Sequence, residues 1–167
     1  GRSHHVNGCQ RAQDTLQEMK NRAKLGDYGC IPNLYAYNSA ITSFARCQDF
    51  DAPLQAQLLV DEMYALYRTT NDKGIQPNVY IFNSLLSVWA SSRRPDAASN
   101  AQAILEGMHK RYREGNMLIK PDKVSYNTVI AAWSRSNDVY AAQRAHALLQ
   151  LMKESGDRDI APDRITY

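Results

Sequence analysis

The sequence predicts an all-α fold, an α-solenoid of stacked helix-turn-helix repeats in a right-handed superhelix. The first observation is a segment that opens with proline and occurs as PNLYAYNSAITSFAR (32–46), PNVYIFNSLLSVWAS (77–91) and PDKVSYNTVIAAWSR (121–135), with PDRITY (162–167) beginning a fourth copy. The second is a motif between these segments: AQDTLQEM (12–19), AQLLVDEM (56–63), AQAILEGM (101–108) and AHALLQLM (145–152). The prolines stand 45, 44 and 41 residues apart and the methionines 44, 45 and 44. A period of this size is typical of helical-repeat arrays.

Each proline-initiated segment is predicted to form the first helix of a hairpin. The residue after the proline, Asn33, Asn78, Asp122 or Asp163, is of a type that favours the N-cap position. Apolar residues follow at helical spacing, as in Phe82, Leu85, Leu86, Trp89 and Ala90. Beside this apolar face each complete copy places an asparagine, at Asn38, Asn83 and Asn127. Because asparagine is a poor helix former, its recurrence indicates either contact with a ligand or a ladder of hydrogen bonds between stacked helices.

The second motif is predicted to form the other helix of the hairpin. Its apolar stripe is seen in Ala101, Ile104, Leu105, Met108 and Tyr112. Short polar joints (91–96, 134–138) connect the two helices, and longer loops (69–76, 113–120, 154–161) with glycine as the expected helix stop connect the hairpins. One hairpin cannot bury its own apolar face, so neighbouring hairpins are expected to stack.

This periodicity divides the chain into units that together form one solenoid. The predicted units are the second helix of a truncated repeat (1–31), three repeats (32–76, 77–120 and 121–161) and the start of a further repeat (162–167). Neither end has the polar capping repeat that such arrays need, so we expect the chain to come from a longer array.

Composition narrows the function classes. The chain of 167 residues is 44% hydrophobic and 22% charged, as globular domains are, and its net charge of +3 permits a polyanionic partner without predicting one. Cys9, Cys30 and Cys47 form no CxxC pair, so neither a disulfide framework nor a zinc site is predicted and we expect a reducing compartment. The apolar runs are too short for a membrane span. The four histidines (His4, His5, His109 and His146) have no Asp, Glu or Cys at a fixed spacing, so we expect no catalytic site, metal or cofactor.

The proline-initiated segments resemble the pentatricopeptide repeat family, whose first helix typically reads PDxVTYNTLI. The segment at 121–135 is a close match, and the likeness runs from Cys9 onward. Units of that family are about 35 residues long, so the 44 to 45 residues here resemble a long-unit variant with roughly nine or ten extra residues in the second helix and its loop.

The resemblance implies binding of single-stranded RNA, with one base read by each repeat. Carried over position by position, the reading pairs are Asn38 with Asn78, Asn83 with Asp122, and Asn127 with Asp163. In the family an Asn/Asp pair leans to uracil and an Asn/Asn pair to cytosine. The implied target is a pyrimidine run, C or U then U then U, with the protein N-terminus toward the RNA 5′ end. The positions at which the family sandwiches bases are occupied by Tyr35, Tyr80 and Val124. The positions at which it favours a basic residue for phosphate are occupied by Arg46, Ser91 and Arg135, and Arg93 and Arg94 lie close to Ser91 in the sequence.

The resemblance further implies a mitochondrial or plastid location and a role in organellar RNA processing, stability or translation. We expect no enzymatic activity, no small-molecule substrate and no membrane contact, with other proteins as further partners through the longer array. The alternative function is a protein-binding scaffold of the tetratricopeptide kind, whose W-x2-L-G-x2-Y signature is absent from these units. Structural alternatives are that Tyr35 and Tyr80 pack between hairpins, that Trp89 and Trp133 are core residues, and that residues 109–113 form a solvated helix face.

Overall fold

The chain folds into helices that alternate with short turns. The computed structural model describes residues 3–47, 49–163 and 166, with side chains from residue 10 onward. These residues form α1 (Ser3–Lys24), α2 (Leu34–Phe44), α3 (Ala52–Thr70), α4 (Val79–Ser91), α5 (Ala97–Arg113), α6 (Lys123–Ser134) and α7 (Ala141–Glu154). The described part of the chain contains no β-strand, which confirms the predicted all-α class.

The helices stack as hairpins in a solenoid. Each helix packs against the next along the chain, and α2, α4 and α6 also pack side by side, α2 on α4 and α4 on α6. The proline-initiated segments form α2, α4 and α6, and the methionine-bearing segments lie in α1, α3, α5 and α7. The first helices therefore form one continuous layer that joins the repeats.

Side-chain caps fix the starts of the first helices. Asn33 accepts a hydrogen bond from the Ala36 backbone N–H, and Asn78 accepts from the N–H groups of Tyr80 and Ile81. Asp122 accepts from the Ser125 N–H while the Ser125 hydroxyl accepts from the Asp122 N–H, which completes a capping box. The N-cap predictions for these three residues are confirmed.

The second helices end at residues in the left-handed region, with one difference from the expectation. Gly26, Gly115 and Gly156 follow α1, α5 and α7 with φ of 94°, 99° and 65°. The prediction of a glycine stop in loop 69–76 is wrong, because the residue that follows α3 in the left-handed region is Asn71, with φ 52°. Asparagine is the residue other than glycine that most readily adopts this conformation at a helix end.

A short 3₁₀ turn precedes each of the four prolines that begin a repeat segment and was missed by the sequence reading. The turns are Tyr28–Cys30, Lys73–Ile75, Met117–Ile119 and Arg158–Ile160. Their last residues Ile75, Ile119 and Ile160 are buried. The Ile-x-Pro spacing in loops that otherwise vary was the available signal, since one apolar residue at a fixed distance from a helix start indicates an anchored loop.

The core lies between the two helix layers. Met63, Met108 and Met152 are fully buried, as are most of the apolar residues of α4. Trp89 and Trp133 are buried at 3% and 1% exposure, which confirms their core assignment. The Trp133 indole N–H donates to Gln102 Oε1 at 2.9 Å, whereas the Trp89 indole N–H has no partner among the described residues.

One cysteine forms a disulfide, although the sequence predicted no disulfide framework. Cys47 is disulfide-bonded and Cys30 is free. The absence of a disulfide was predicted from spacing along the chain, which does not restrict the thiols that a fold brings together. The side chains of His4, His5 and Cys9 lie outside the described residues. Across the described part of the chain, every helix is too short or too polar to cross a bilayer.

Candidate nucleic-acid interface

One face of the first helices is open to solvent and carries the predicted stacking residues. Tyr35, Tyr80 and Val124 lie in the first turns of α2, α4 and α6 and are 79%, 70% and 55% exposed. The alternative that the two tyrosines pack between hairpins is therefore wrong. Small exposed hydroxyl residues follow on the same helices: Ser39, Thr42, Ser87, Ser91 and Ser134. A face of this kind combines aromatic platforms with little steric bulk.

Asn83 lies one turn after Tyr80 and is half-buried between α4 and α6. Its Nδ2 donates to both carboxylate oxygens of Asp122, at 3.1 and 3.2 Å. Its Oδ1 accepts from the Ser125 hydroxyl at 2.6 Å. The two members of the predicted reading pair are thus in direct contact, and the amide is joined at both ends to the N-terminus of the next first helix.

Asn127 makes an equivalent contact at the next interface. Its Oδ1 accepts from the Thr166 hydroxyl at 2.8 Å, and two backbone-to-side-chain hydrogen bonds tie Thr166 to Asp163, as they tie Ser125 to Asp122. The Asp163 carboxylate lies 3.6 Å from the Lys123 ammonium. Asn127 and Asp163 are therefore brought together through Thr166.

Asn38 differs from the other two asparagines. Its Oδ1 accepts from the Ser84 hydroxyl at 2.7 Å, so the amide turns toward the middle of α4 rather than its N-terminus. Asn78, the predicted partner, uses its side-chain oxygen to cap α4. The structure shows no hydrogen bond between Asn38 and Asn78. Asn38 and Asn83 thus join neighbouring first helices, and Asn127 contacts Thr166 of the next proline-initiated segment, as the structural alternative of a hydrogen-bond ladder predicts.

The amino groups of two asparagines remain available. Nδ2 of Asn38 and Nδ2 of Asn127 have no hydrogen-bond partner in the described part of the chain. Both residues are half-buried, so these donors lie at the solvent boundary of the layer. Side-chain amides held in this way can donate to a base edge.

The arginines of this region differ in exposure and in whether their guanidinium groups are already paired within the protein. Arg46 and Arg135 are exposed, and Arg135 Nε donates to the Ala131 carbonyl at 3.0 Å, which holds its side chain along α6. Arg94 was expected near the phosphate contacts, but its guanidinium is already engaged. It pairs with Asp96 at 2.9 Å and lies over the Phe50 ring at 4.4 Å. Arg93 is exposed and lines, with Arg135, a groove of ≈ 440 Å³ between joints 91–96 and 134–138.

The basic segment 109–113 is only partly a solvated face. Lys110 and Arg113 are exposed, as expected. Arg111 instead covers the Tyr64 and Phe82 rings at 5.1 and 5.5 Å, and His109 Nε2 lies 2.7 Å from the Tyr126 hydroxyl. Burial is the main cause of the lowered pKa of His109, followed by the charge of Arg113. These residues therefore stabilise the interface between repeats. The described residues contain no group of three or more His, Cys, Asp or Glu that could hold a metal ion.

Three hydroxyl residues were missed by the sequence reading. Ser84, Ser125 and Thr166 each donate to one of the asparagines. For Ser125 and Thr166 a signal was present, because a hydroxyl residue three positions after an N-cap aspartate completes a capping box. The contact of that hydroxyl with the asparagine of the preceding repeat depends on tertiary packing and has no signal in the sequence.

Comparison with known families agrees with this geometry. Residues 65–133 match a family model described as the pentatricopeptide repeat domain. The matched segment extends from the second half of α3 to α6 and contains Asn83, Asp122 and Asn127. The match supports a pentatricopeptide repeat protein, and RNA binding in general. No curated protein and no solved structure matches the chain.

Proposed function

We propose that this chain, similar over residues 65–133 to the pentatricopeptide repeat domain, reads single-stranded RNA with one base per repeat. Under this proposal it is a long-unit member of that family, with 44 to 45 residues per repeat. The observation that carries the proposal is the row of half-buried amides along α2, α4 and α6, each close to an exposed stacking residue of its own helix. A row of this kind can present donors and a flat apolar surface to successive bases.

The chemistry of the middle pair favours uracil. Because the two oxygens of one carboxylate lie close together, a single N–H of the Asn83 amino group can serve both oxygens of Asp122, and the second N–H can donate to a uracil carbonyl oxygen. The Asp122 carboxylate accepts hydrogen bonds only, so it suits the N3–H donor of uracil and disfavours the N3 acceptor of cytosine. The pair Asn127 and Asp163 has the same groups. The unlinked amides of Asn38 and Asn78 accommodate cytosine or uracil.

These pairs give a pyrimidine-rich target: C or U, then U, then U, with the N-terminus of the protein toward the RNA 5′ end. Tyr35, Tyr80 and Val124 would stack the bases, and Arg46 and Arg135 would contact phosphates, since both guanidinium groups are exposed. Two tyrosine stacks of about 1 to 3 kcal/mol each together contribute about 2 to 6 kcal/mol, which is close to the roughly 4 kcal/mol or more that association costs. We therefore expect weak binding by this chain and stronger binding by a longer array.

The proposed cellular role follows the family resemblance. We propose that the protein acts in a mitochondrion or plastid, in RNA processing, stability or translation, as a reader of RNA rather than an enzyme. Proteins of this family are typically organellar, which supports the location.

A binding titration tests the proposal. Fluorescently labelled U-rich, C-rich and A-rich single strands are titrated with the chain at low and at physiological salt. We expect the U-rich strand to bind best and the affinity to fall with salt, because phosphate contacts release counterions. An Asn38→Ala variant should weaken binding, whereas Asn21→Ala, on α1 away from the row, serves as the matched control. Equal affinity for the three strands without salt dependence would contradict base reading, and no binding at all would favour a protein-binding scaffold.

A further inference from the structure

The hydroxyl groups of Ser125 and Thr166 occupy the same place at two successive interfaces. Ser125 Oγ accepts the Asp122 backbone N–H at 3.2 Å and lies 2.6 Å from Asn83 Oδ1. Thr166 Oγ1 accepts the Asp163 N–H at 3.0 Å and lies 2.8 Å from Asn127 Oδ1. Each hydroxyl thus belongs to the cap of one repeat and contacts the amide of the preceding repeat.

The donors and acceptors at Asn83 allow only one orientation of its amide. The Asp122 carboxylate accepts hydrogen bonds, so the amino group of Asn83 must face it. The Ser125 hydroxyl already uses a lone pair for the Asp122 N–H. Its proton has two acceptors in reach, Asn83 Oδ1 at 2.6 Å and Asp122 Oδ1 at 3.0 Å, and Asn83 is the nearer one. An amide that cannot rotate by 180° presents a donor, and not an acceptor, to whatever approaches from solvent.

The first interface lacks this arrangement. The residue equivalent to Ser125 and Thr166 in the alignment is Ile81, which has no hydroxyl group and is fully buried. Asn38 instead bonds to Ser84, three residues further along α4. The orientation of the Asn38 amide is therefore not coupled to the cap residue Asn78.

We propose that the hydroxyl residue three positions after the N-cap is a positioning residue, which orients the reading amide of the preceding repeat and sharpens its choice of base. This inference rests on the proposed RNA-reading function and deepens it. It predicts strong discrimination at the bases opposite Asn83 and Asn127 and weaker discrimination opposite Asn38.

The first test removes the hydroxyl at Ser125. Affinities are measured for two strands that differ only by U or C opposite Asn83, for the unchanged chain, Ser125→Ala and Ser125→Thr. The U-over-C ratio should fall about threefold to tenfold in Ser125→Ala, since one oriented hydrogen bond is lost, and should be kept in Ser125→Thr. A Ser125→Ala variant that is less stable yet keeps the full ratio would show a merely structural role and overturn the proposal.

The second test introduces the hydroxyl at the first interface. Threonine and valine have nearly the same shape, so Ile81→Thr and Ile81→Val leave the same space in the core and differ by the hydroxyl alone. The base preference opposite Asn38 should rise about threefold in Ile81→Thr relative to Ile81→Val. Equal preferences in the two folded variants would contradict the proposal.

An RNA-free measurement separates this proposal from the proposed function. In ¹⁵N-labelled protein, the side-chain amide protons of Asn83 should exchange with solvent faster in Ser125→Ala than in the unchanged chain. If they do while the unchanged chain binds no RNA, RNA reading fails and positioning holds. If the unchanged chain binds RNA selectively but neither exchange nor selectivity responds to Ser125→Ala, positioning alone fails.

Discussion

Removal of the Tyr80 side chain should weaken RNA binding without affecting the fold. The ring is 70% exposed, and the hydrogen bond at this position that caps α4 comes from the backbone N–H of Tyr80 to Asn78 Oδ1 at 3.1 Å. Tyr80→Ala therefore leaves the core and the cap unchanged. Surface changes of this kind alter the free energy of unfolding by at most about 0.5 kcal/mol.

The expected loss of affinity follows from stacking. One base stacked on an aromatic ring contributes about 1 to 3 kcal/mol, so the dissociation constant should rise roughly fivefold to 150-fold in Tyr80→Ala. Tyr35 has the same position on α2 and is 79% exposed, so it should contribute a similar amount. The two rings lie on separate helices, and their effects should add in the double variant.

The assay is fluorescence anisotropy with a U-rich strand, together with urea unfolding of each variant. The matched control is Tyr28→Ala, which removes a tyrosine of 78% exposure from the 3₁₀ turn after α1. It should bind like the unchanged chain. If Tyr80→Ala is folded and binds as tightly as Tyr28→Ala, base stacking on this face is refuted.

Four further changes test other parts of the structure. Val124→Tyr, at an exposed position of α6, should tighten binding of a U-rich strand by about fivefold or more, and unchanged affinity would contradict a stacking role. Arg135→Ala should reduce the slope of log affinity against log salt by about 1, whereas Lys153→Ala on α7 should leave it unchanged. Trp133→Phe should lower the free energy of unfolding by about 1 kcal/mol more than Trp89→Phe, because only the Trp133 indole bonds to a side chain; equal losses would argue against that bond. The lowered pKa of His109 means that the folded state binds fewer protons than the unfolded state, so stability should be complete above the ordinary value of 6.5 and fall as the pH drops below it. Urea unfolding across this pH range checks whether stability falls at low pH. The position equivalent to His109 in the preceding repeat is Tyr64, and the His109→Tyr variant should depend less on pH.

The helices were predictable because their signals are local. A proline followed by Asn or Asp marks the start of each first helix, and the caps at Asn33, Asn78 and Asp122 use atoms within three residues of the cap. Periodic apolar residues then indicate the buried face without knowledge of the partner helix. The exposure of Tyr35 and Tyr80 followed from the family resemblance rather than from periodicity.

The features that the sequence did not predict depend on contacts between residues far apart in the chain. Arg94 was considered for phosphate because its charge is visible in the sequence, but its partners Asp51 and Phe50 lie more than 40 residues earlier. The hydroxyl of Ser125 similarly reaches Asn83 only after α4 and α6 pack together. Spacing along the chain contains no information about either contact, and the same holds for the disulfide of Cys47.

Under the proposed function, the lengths of the helices bear on whether a unit of 44 to 45 residues can read one base. The first helices α2, α4 and α6 contain 11, 13 and 12 residues, whereas α3 and α5 contain 19 and 17. The second helices α3 and α5 are thus longer than the first helices, whereas α7 contains 14 residues. The hydrogen bonds that Asn38 and Asn83 make to the next repeat run between first helices, and packed helices typically lie roughly 8 to 10 Å apart. The proposed reading residues Asn38, Asn83 and Asn127 lie on the first helices, so the packing of α2 on α4 and of α4 on α6 sets their spacing, whatever the length of the second helices. The longer unit is therefore compatible with one base per repeat.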